Sequence, residues 1–381
     1  MQRDLCSDPV VDVPVSACGL APGEARAWLR LQHALAWSPQ AVAEELRGGL
    51  PPDETLERLA QRDAISTSID PLEESTLERW IERLDRLGVR VIPLTDPAYP
   101  RSLATLVDPP LVLLVRGQPG ALTAPCRLAI VGARAATEGA RGTAQRLARE
   151  LAGRGVVVVS GLARGIDAAA HRGALEARGR TIGVLACGPE RIYPPEHRDL
   201  AREMEAEGAI VSEMPVDTPP RALHFPLRNR IISGLCLGVI VVEARRRSGS
   251  LITVRHALHQ GREVFVVPGS IEGPFAEGTN QLLRDGARAI RSARDVIEDL
   301  GLDDPLGPGS DSPARGSNRS AETGSLEARI LAALEREPAT RDQLLTRVEP
   351  DAGRMASALL ELELGGRIVE ERDGRIHRRW S

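Results

Sequence analysis

The feature that most restricts the fold of this chain is a regular alternation of short apolar runs and amphipathic segments between residues 126 and 298. The apolar runs are rich in valine, isoleucine and leucine, a helical pattern follows each, and they span residues 128–131, 156–159, 181–186, 209–212, 239–242 and 264–267. Strands that are apolar on both faces belong to parallel sheets covered by helices on both sides. We therefore predict an α/β fold with a doubly wound, mostly parallel sheet, which binds ligands at the carboxyl ends of its strands.

The 381 residues divide into four predicted segments. Residues 1–88 form an N-terminal helical domain, in which positions 44–87 carry 12 acidic residues against six arginines. Residues 89–300 form the α/β core, with two further short strands near 89–92 and 111–115. Residues 301–325 are rich in glycine, proline, serine and aspartate, which predicts a flexible linker. Residues 326–381 show three helical patterns and a hairpin pattern, which predicts a winged-helix-like domain.

Composition argues against several classes of function. All 49 basic residues are arginine, so there is no lysine for a P-loop or for a Schiff base with pyridoxal phosphate. The loop after residue 131 has one glycine, Gly132, where a dinucleotide-binding GxGxxG loop needs three. The five cysteines form no CxxC pair, which argues against zinc and disulfides and fits a reducing cytosol. We predict that the protein uses no cofactor and no metal.

No targeting or membrane segment is evident in the sequence. The N-terminus lacks a basic stretch followed by an apolar run, the pattern of a signal peptide. The longest nearly apolar run, residues 231–242, has 12 residues, whereas a membrane-spanning helix needs about 20. We expect a cytoplasmic protein that contacts no membrane.

Two loops after predicted strands have the composition of anion-binding turns. The first contains Gly132 and Arg134, and the second contains Ser160, Gly161, Arg164 and Gly165. Glycine allows close approach to the backbone, and free N–H groups at a helix start favour a negative ligand. Asp167 and His171, four residues apart on the following helix, are able to bond each other and are assigned to structural support of the turn.

The densest cationic region runs from Arg221 to Arg262, with eight arginines and one acid, Glu243, in a chain of formal net charge -4. Arginine pairs with phosphate through two parallel hydrogen bonds. Phe225 is either a residue that stacks on an unpaired base or an aromatic residue of the core. A Ser-Gly-Ser turn follows three consecutive arginines, Arg245 to Arg247. The candidate nucleic-acid contacts in this region are Arg221, Phe225, Arg228, Asn229, Arg230, Ser233, Gly234, Arg246, Arg247, Ser248, Gly249, Ser250 and Thr253, with Glu243 as structural support.

The anion-binding turns occur after several strands rather than one. A single phosphate needs one such turn, but turns after neighbouring parallel strands, about 4.8 Å apart, line a groove along one edge of the sheet. Such a groove suits successive phosphates of one nucleic-acid strand better than a free nucleotide.

Five sequence blocks occur in the order found in the DprA/Smf family of DNA-processing proteins, which the chain resembles between about 89 and 290. The blocks begin at Ser160, Arg228, Ser248, Gly261 and Gly278. The resemblance implies an extended Rossmann-like core, a homodimer and binding of single-stranded DNA. It also implies a role in natural transformation, in which the protein protects incoming DNA and loads the RecA recombinase onto strands coated by single-strand-binding protein, without catalysis.

Two other hypotheses remain open at the level of sequence. A nucleoside-monophosphate phosphoribohydrolase carries the pattern PGGxGTxxE, but here an insertion separates Pro268-Gly269 from Gly278-Thr279 and the catalytic acid position is Leu282. A winged-helix regulator would bind duplex DNA through residues 326–381 alone. The predicted third helix of that segment, about 351–364, carries Arg354 but also Glu361 and Glu363, which disfavours base readout.

Overall fold

The computed structural model describes residues 19–20, 22–34, 40–61, 72–302, 326–336, 339–348, 355–356, 358–359, 362–363, 367–370 and 375–378. The chain divides into two compact units, one up to Gly309 and one from Ser310 onward. Most of the predicted linker and part of the predicted third helix of the winged domain lie outside the described residues.

Four helices precede the sheet: α1 (Pro22–Ala34), α2 (Gln40–Arg47), α3 (Pro52–Gln61) and α4 (Glu74–Arg86). Their apolar residues recur at helical spacing, as Leu77, Trp80 and Leu84 do on α4, and those residues are buried. The acidic residues of α4 occupy its other positions, which confirms the predicted helical character of this segment.

A nine-stranded sheet forms the centre of the first unit. Its strands are β1 (Arg90–Pro93), β2 (Val112–Gly117), β3 (Arg127–Val131), β4 (Val157–Ser160), β5 (Thr181–Val184), β6 (Ala209–Ser212), β7 (Gly238–Val241), β8 (Glu263–Val266) and β9 (Arg288–Ala289). Across the sheet they are ordered β1-β2-β6-β5-β4-β3-β7-β8-β9. In this order the seven strands from β6 to β9 are parallel to their neighbours, and β1 and β2 add antiparallel at one edge. The predicted mostly parallel, doubly wound sheet is confirmed.

The helices that connect these strands are α5 (Arg101–Ala104), α6 (Glu138–Ala152), α7 (Ile166–Glu176), α8 (Arg198–Glu207), α9 (His224–Gly234), α10 (Ser250–His259) and α11 (Glu277–Arg284), and α12 (Ala293–Asp299) follows β9. Helix α6 shows why they form. The Thr137 side chain accepts a hydrogen bond from the backbone N–H of Ala140 and caps the helix, while Leu147 and Leu151 bury one face. The short elements α5, α12 and β9 were not predicted, because a pattern needs several residues to show its period.

The N-terminal helices share one apolar core with one face of the sheet, and this core includes Trp28, Leu84 and Leu114. Polar contacts reinforce this packing at the loop after β6. The Gln32 side chain donates to the backbone oxygen of Glu213 at 2.8 Å, and the Trp80 indole donates to Asp217 at 3.2 Å. The helices therefore support the loop that follows β6.

The second unit contains α13 (Leu326–Arg336), β10 (Ala339–Thr340), α14 (Arg341–Arg347), β11 (Ile368–Glu370) and β12 (Arg375–Arg378). Strands β11 and β12 pair antiparallel, and β10 joins the other side of β12, so the predicted hairpin is confirmed and gains a third strand. Its core includes Ile330, Leu344, Leu359 and Ile376.

The longest helix among the described residues is α6, with 15 residues. None of the helices in this part of the chain has the length and apolar character needed to cross a membrane.

Candidate nucleic-acid interface

The strand order reverses between β3 and β7, and a cavity of about 650 Å³ opens at the carboxyl ends of these two strands. Open α/β sheets bind ligands at this kind of reversal, because the loops after the two strands diverge there. The polar and aromatic residues of its lining are Arg134, Asp167, Tyr193, Phe225, Arg228, Asn229, Arg245, Arg247, Ser248, Ser250 and Thr253.

Glu243, two residues after the end of β7, holds the loop between β3 and α6. Its backbone oxygen accepts from the N–H of Ala133 at 2.8 Å. Its carboxylate accepts from the Thr137 backbone N–H at 3.1 Å and from the Thr137 hydroxyl at 2.7 Å. A Cβ on Gly132 would lie 2.5 Å from a side-chain carbon of Ile166, so only glycine fits there. The loop that carries Arg134 is therefore anchored at both ends.

Arg228 lies beneath the loop after β4 and is 3% exposed. Its guanidinium donates to the Gly161 backbone oxygen at 2.8 Å and also to the Val184 backbone oxygen. Burial lowers the pKa of Arg228 to about 10, and the nearby Asp167 carboxylate opposes this shift. The side chain still borders the cavity, so it contributes positive charge from below while it supports two strand ends.

The sequence led us to expect a hydrogen bond between Asp167 and His171, but the structure has none between them. Asp167 accepts hydrogen bonds from the backbone N–H groups of Gly161 at 3.1 Å and Ala163 at 3.4 Å. His171 Nδ1 instead contacts the Thr181 hydroxyl at 2.7 Å. The cause is the tight turn before α7, which brings the Asp167 carboxylate over the backbone of its own loop. Both residues thus make hydrogen bonds within the protein, and their role as structural support stays a prediction.

In the loop between β4 and α7, some of the other predicted contacts are buried and others are exposed. The Ser160 hydroxyl is buried and donates to the Ile130 backbone oxygen at 2.6 Å. Gly165 has φ +78°, and a Cβ there would lie 2.3 Å from the Ala133 oxygen. Arg164 is exposed and pairs with Glu196 on the far side of the loop. Ser160, Arg164 and Gly165 all lie outside the lining of the described cavity.

Arg230 faces a different part of the protein. Its guanidinium lies 3.1 Å from Asp108 and 2.6 Å from Glu213, and its side chain is 7% exposed. Burial raises the pKa of Glu213, and the positive charge of Arg230 opposes that shift. Two carboxylates thus already neutralise this arginine.

Ser233 and Gly234 join α9 to its neighbours. The Ser233 hydroxyl donates to the Gln260 side chain at 2.7 Å, and the Gln260 amide donates to the Arg230 backbone oxygen at 3.0 Å. A Cβ on Gly234 would lie 2.7 Å from Leu103. Both residues are buried and lie away from the cavity lining.

The turn before α10 lies at the cavity and is open. The hydroxyls of Ser248 and Ser250 are 2.8 Å apart, and the Asn229 amide donates to the Gly249 oxygen at 3.4 Å. A Cβ on Gly249 would meet nothing within 4 Å. Arg247 is exposed beside this turn, and Thr253 is buried one helical turn later. This turn leaves room for a ligand to approach the backbone.

An aromatic cluster with arginine above it stands at the mouth of the cavity. The Arg134 guanidinium lies 4.7 Å from the centre of the Phe225 ring, and that of Arg228 lies 5.9 Å from it. The Tyr193 ring meets Phe225 edge to face, with centroids 5.9 Å apart. Phe225 is half-buried rather than part of the core, and Tyr193 is 41% exposed.

The predicted contacts that line the cavity are Gly132, Arg134, Phe225, Arg228, Asn229, Arg247, Ser248, Gly249, Ser250 and Thr253. Arg221 and Arg246 are exposed and lie outside the cavity lining. Tyr193 and Arg245 line it and were not among the predicted contacts. Tyr193 lies in the loop after β5, which begins at the same carboxyl edge of the sheet, and this position is the sequence signal that could have pointed to it.

Comparison with known proteins identifies the family to which the chain is similar. A family model described as DNA recombination-mediator protein A matches residues 90–301, and one described as DprA winged helix domain matches residues 313–374. DNA processing protein DprA of Bacillus subtilis is 44% identical over 234 residues, which are 60% of this chain and 79% of that protein. Protein Smf of Escherichia coli is 39% identical over 301 residues, which are 79% of each chain.

An X-ray structure of DNA processing protein A from Streptococcus pneumoniae matches with a TM-score of 0.57 and 32% identity, over 72% of this chain and 93% of that chain. The family model at residues 313–374 identifies the second unit as a winged-helix domain, as its hairpin and helices had indicated. The sheet order, the blocks around the cavity and these matches lead to one conclusion: the chain belongs to the DprA/Smf family of DNA-processing proteins.

Proposed function

We propose that this protein binds single-stranded DNA along the carboxyl edge of its sheet, protects incoming DNA in the cytoplasm and loads the RecA recombinase onto it during natural transformation. The observation that carries the proposal is the exposed Arg134 over Phe225 at the mouth of the cavity, 4.7 Å from the ring centre. An aromatic face beside a guanidinium suits an unpaired base next to its phosphate, and duplex DNA keeps its bases stacked away from such a face.

The charges of the cavity support a polyanion. Four arginines line it, at positions 134, 228, 245 and 247. Of the described residues in that lining, Asp167 is the one carboxylic acid, and it already accepts two backbone N–H groups. The predicted contacts that line the cavity are therefore retained as proposed DNA contacts: Gly132, Arg134, Phe225, Arg228, Asn229, Arg247, Ser248, Gly249, Ser250 and Thr253. Arg164, Arg221 and Arg246 are proposed to meet the strand where it enters or leaves.

The decisive experiment measures affinity for labelled oligothymidine and for a duplex of equal length by fluorescence anisotropy across a salt series. Arg134→Ala removes one phosphate contact, so the magnitude of the log–log salt slope should fall by about 0.7. Phe225→Leu keeps the apolar volume but removes the ring, so affinity should fall roughly 5- to 150-fold, the equivalent of about 1–3 kcal/mol for one stacked base.

The matched control is Arg172→Ala, which removes an exposed arginine of α7 that lies outside the cavity lining. This variant should bind as the parent does apart from a small general charge effect. Equal affinity of the parent for single-stranded and duplex DNA, or no change in either cavity variant, contradicts the proposal.

We further propose that the groove performs no catalysis. Phosphoribohydrolase chemistry needs an acid at position 282, where this chain has leucine, and Leu282 packs against the apolar core. The Asn280 side chain instead clamps the preceding turn, with its amide 3.2 Å from the Gly269 oxygen. Incubation with nucleoside monophosphates and with single-stranded DNA should leave both intact by chromatography, and release of free base contradicts this part of the proposal.

The proposed partners follow from membership of the family. A homodimer contact is proposed at the exposed Leu237 and Leu258, whose side chains are 37% and 60% exposed. Leu258→Arg should shift the mass measured by light scattering from dimer to monomer. RecA loading is tested by RecA filament formation on DNA covered by single-strand-binding protein. Addition of this protein should shorten the lag, and Arg134→Ala should abolish that effect.

A further inference from the structure

A second cavity of about 370 Å³ adjoins the first. Tyr193 and Pro220 belong to the linings of both cavities, so the two cavities share a wall at these residues. The second cavity is lined by the loop after β5, the start of α8 and part of β2. No sequence motif pointed to it, because its residues come from four separated parts of the chain, at positions 87, 116, 190–202 and 220.

Arginine dominates the lining of this second cavity, with Arg116, Arg191, Arg198 and Arg202 against one acid, Glu190. Arg116 is held in the wall by Glu205 at 2.8 Å and by the Pro189 oxygen at 3.0 Å. Arg191 pairs with Glu190, the one acid of this lining, at 3.0 Å, so the cations available to a ligand come from Arg198 and Arg202.

Arg198 and Arg202 stand one helical turn apart at the start of α8. Within the described part of the chain Arg198 forms no ion pair, and it is exposed. Arg202 pairs with Asp199 at 2.7 Å, but the two side chains are 74% and 85% exposed. A pair so open to water holds its partners weakly, so Arg202 is free to turn toward a phosphate.

Tyr193 connects the two cavities. Its ring meets Phe225 edge to face on one side, borders the second cavity on the other, and is 41% exposed. An exposed ring between two arginine-lined hollows has the chemistry of a stacking platform between successive phosphates.

We propose that the second cavity receives the nucleotides of the same single DNA strand that leave the first, with Tyr193 stacked on a base at the divide and Arg198 and Arg202 contacting phosphates. This extension rests on the proposed binding of single-stranded DNA. The DNA strand then runs along the carboxyl edge of the sheet from β7 over β3 toward α8, and it passes the loop after β5.

The test uses the full chain and oligothymidines of about 4 to about 16 nucleotides, the range of site sizes known for single-strand-binding domains. Arg198→Ala/Arg202→Ala should lower the magnitude of the salt slope by about 1.4 with long oligomers and leave the shortest bound oligomers unaffected. The matched control, Arg172→Ala/Arg294→Ala, removes one exposed arginine without a described ion pair and one in an exposed pair with Glu298, both outside the two cavities.

A slope with long oligomers equal to that of the control overturns the extension, while binding by the parent keeps the proposed function intact. A parent that binds no single-stranded DNA at any length refutes the proposed function itself. For stacking on Tyr193, Tyr193→Leu should lower the affinity for long oligomers at least about 5-fold, and Tyr193→Phe should bind them with the parent affinity. Equal binding by Tyr193→Leu and the parent refutes stacking at the divide.

Discussion

Substitution of Arg230 tests whether this basic residue of α9 stabilises the fold or binds DNA. Its guanidinium lies between Asp108 at 3.1 Å and Glu213 at 2.6 Å, and the side chains of Arg230 and Glu213 are 7% and 9% exposed. Replacement by methionine keeps much of the apolar stem and removes the charge. Glu213 then loses its main neutralising partner, whereas Asp108, 36% exposed, remains in contact with water.

The expected cost is large because a buried charge is left without its partner. Removal of one member of a buried ion pair typically destabilises a protein by about 3–5 kcal/mol. An exposed pair such as Arg202 with Asp199 contributes about 0.2–1 kcal/mol. Arg230→Met should therefore lose several times more stability than Arg202→Met, although each substitution removes one arginine.

The loss should also depend on pH, because Glu213 responds to the missing charge. Burial raises the pKa of Glu213 and Arg230 opposes this, so the variant raises the folded-state pKa further above the unfolded value. A raised folded-state pKa contributes stability below the unfolded pKa, and this contribution is lost as pH rises through the folded-state pKa. The deficit of Arg230→Met relative to the parent should thus shrink as the solution becomes more acidic.

The assay is urea unfolding followed by circular dichroism at neutral and mildly acidic pH, with anisotropy measured under conditions in which each variant is folded. Glu213→Leu/Arg230→Met should recover most of the loss, since an apolar pair leaves no buried charge. A destabilisation below about 1 kcal/mol, or a reduced salt slope for DNA without loss of stability, would refute the structural role of Arg230.

Two further predictions concern glycine and histidine. Gly165→Ala should lower stability by about 1–3 kcal/mol, because the residue has φ +78° and a Cβ would lie 2.3 Å from a backbone oxygen. Gly249→Ala, in open space, should change stability by less than about 0.5 kcal/mol and weaken DNA binding; urea unfolding and anisotropy check both, and similar stability losses contradict the distinction. Burial lowers the pKa of His171 to about 3, so the unfolded chain binds a proton that the folded protein does not, and stability falls as pH drops from about 6.5 toward that value. His171→Gln should remove up to about 1.4 kcal/mol per pH unit of this dependence in urea unfolding, and an unchanged pH profile would count against it.

Much of the fold was predictable from local patterns. The apolar runs correspond to β3 through β8 within a few residues, and the segments that follow them form α6 through α11. Each run carries its own signal, because a strand buried on both faces must be apolar along its length. The two-residue strand β9 carries no such signal, and its place was decided by pairing with β8.

The place of the candidate site at one edge of the sheet was predictable for the same reason. Turns after parallel strands meet at one edge, so Gly132, Ser160 and Ser248 were expected near one another, and β4, β3 and β7 are indeed adjacent. The roles of the arginines were not predictable in this way. Arg134 and Arg230 have the same side chain, but one lies over an aromatic ring at the surface and the other between two carboxylates in the interior.

The sequence by itself therefore determined the class of fold, the edge of the sheet that carries the site and the positive character of that edge. Only the tertiary structure decided which guanidinium groups face the cavity, because their partners, such as Asp108, Glu213 and Phe225, come from distant segments. A guanidinium that finds a buried carboxylate is neutralised inside the protein, and one that finds an aromatic ring at the surface keeps its charge for a ligand.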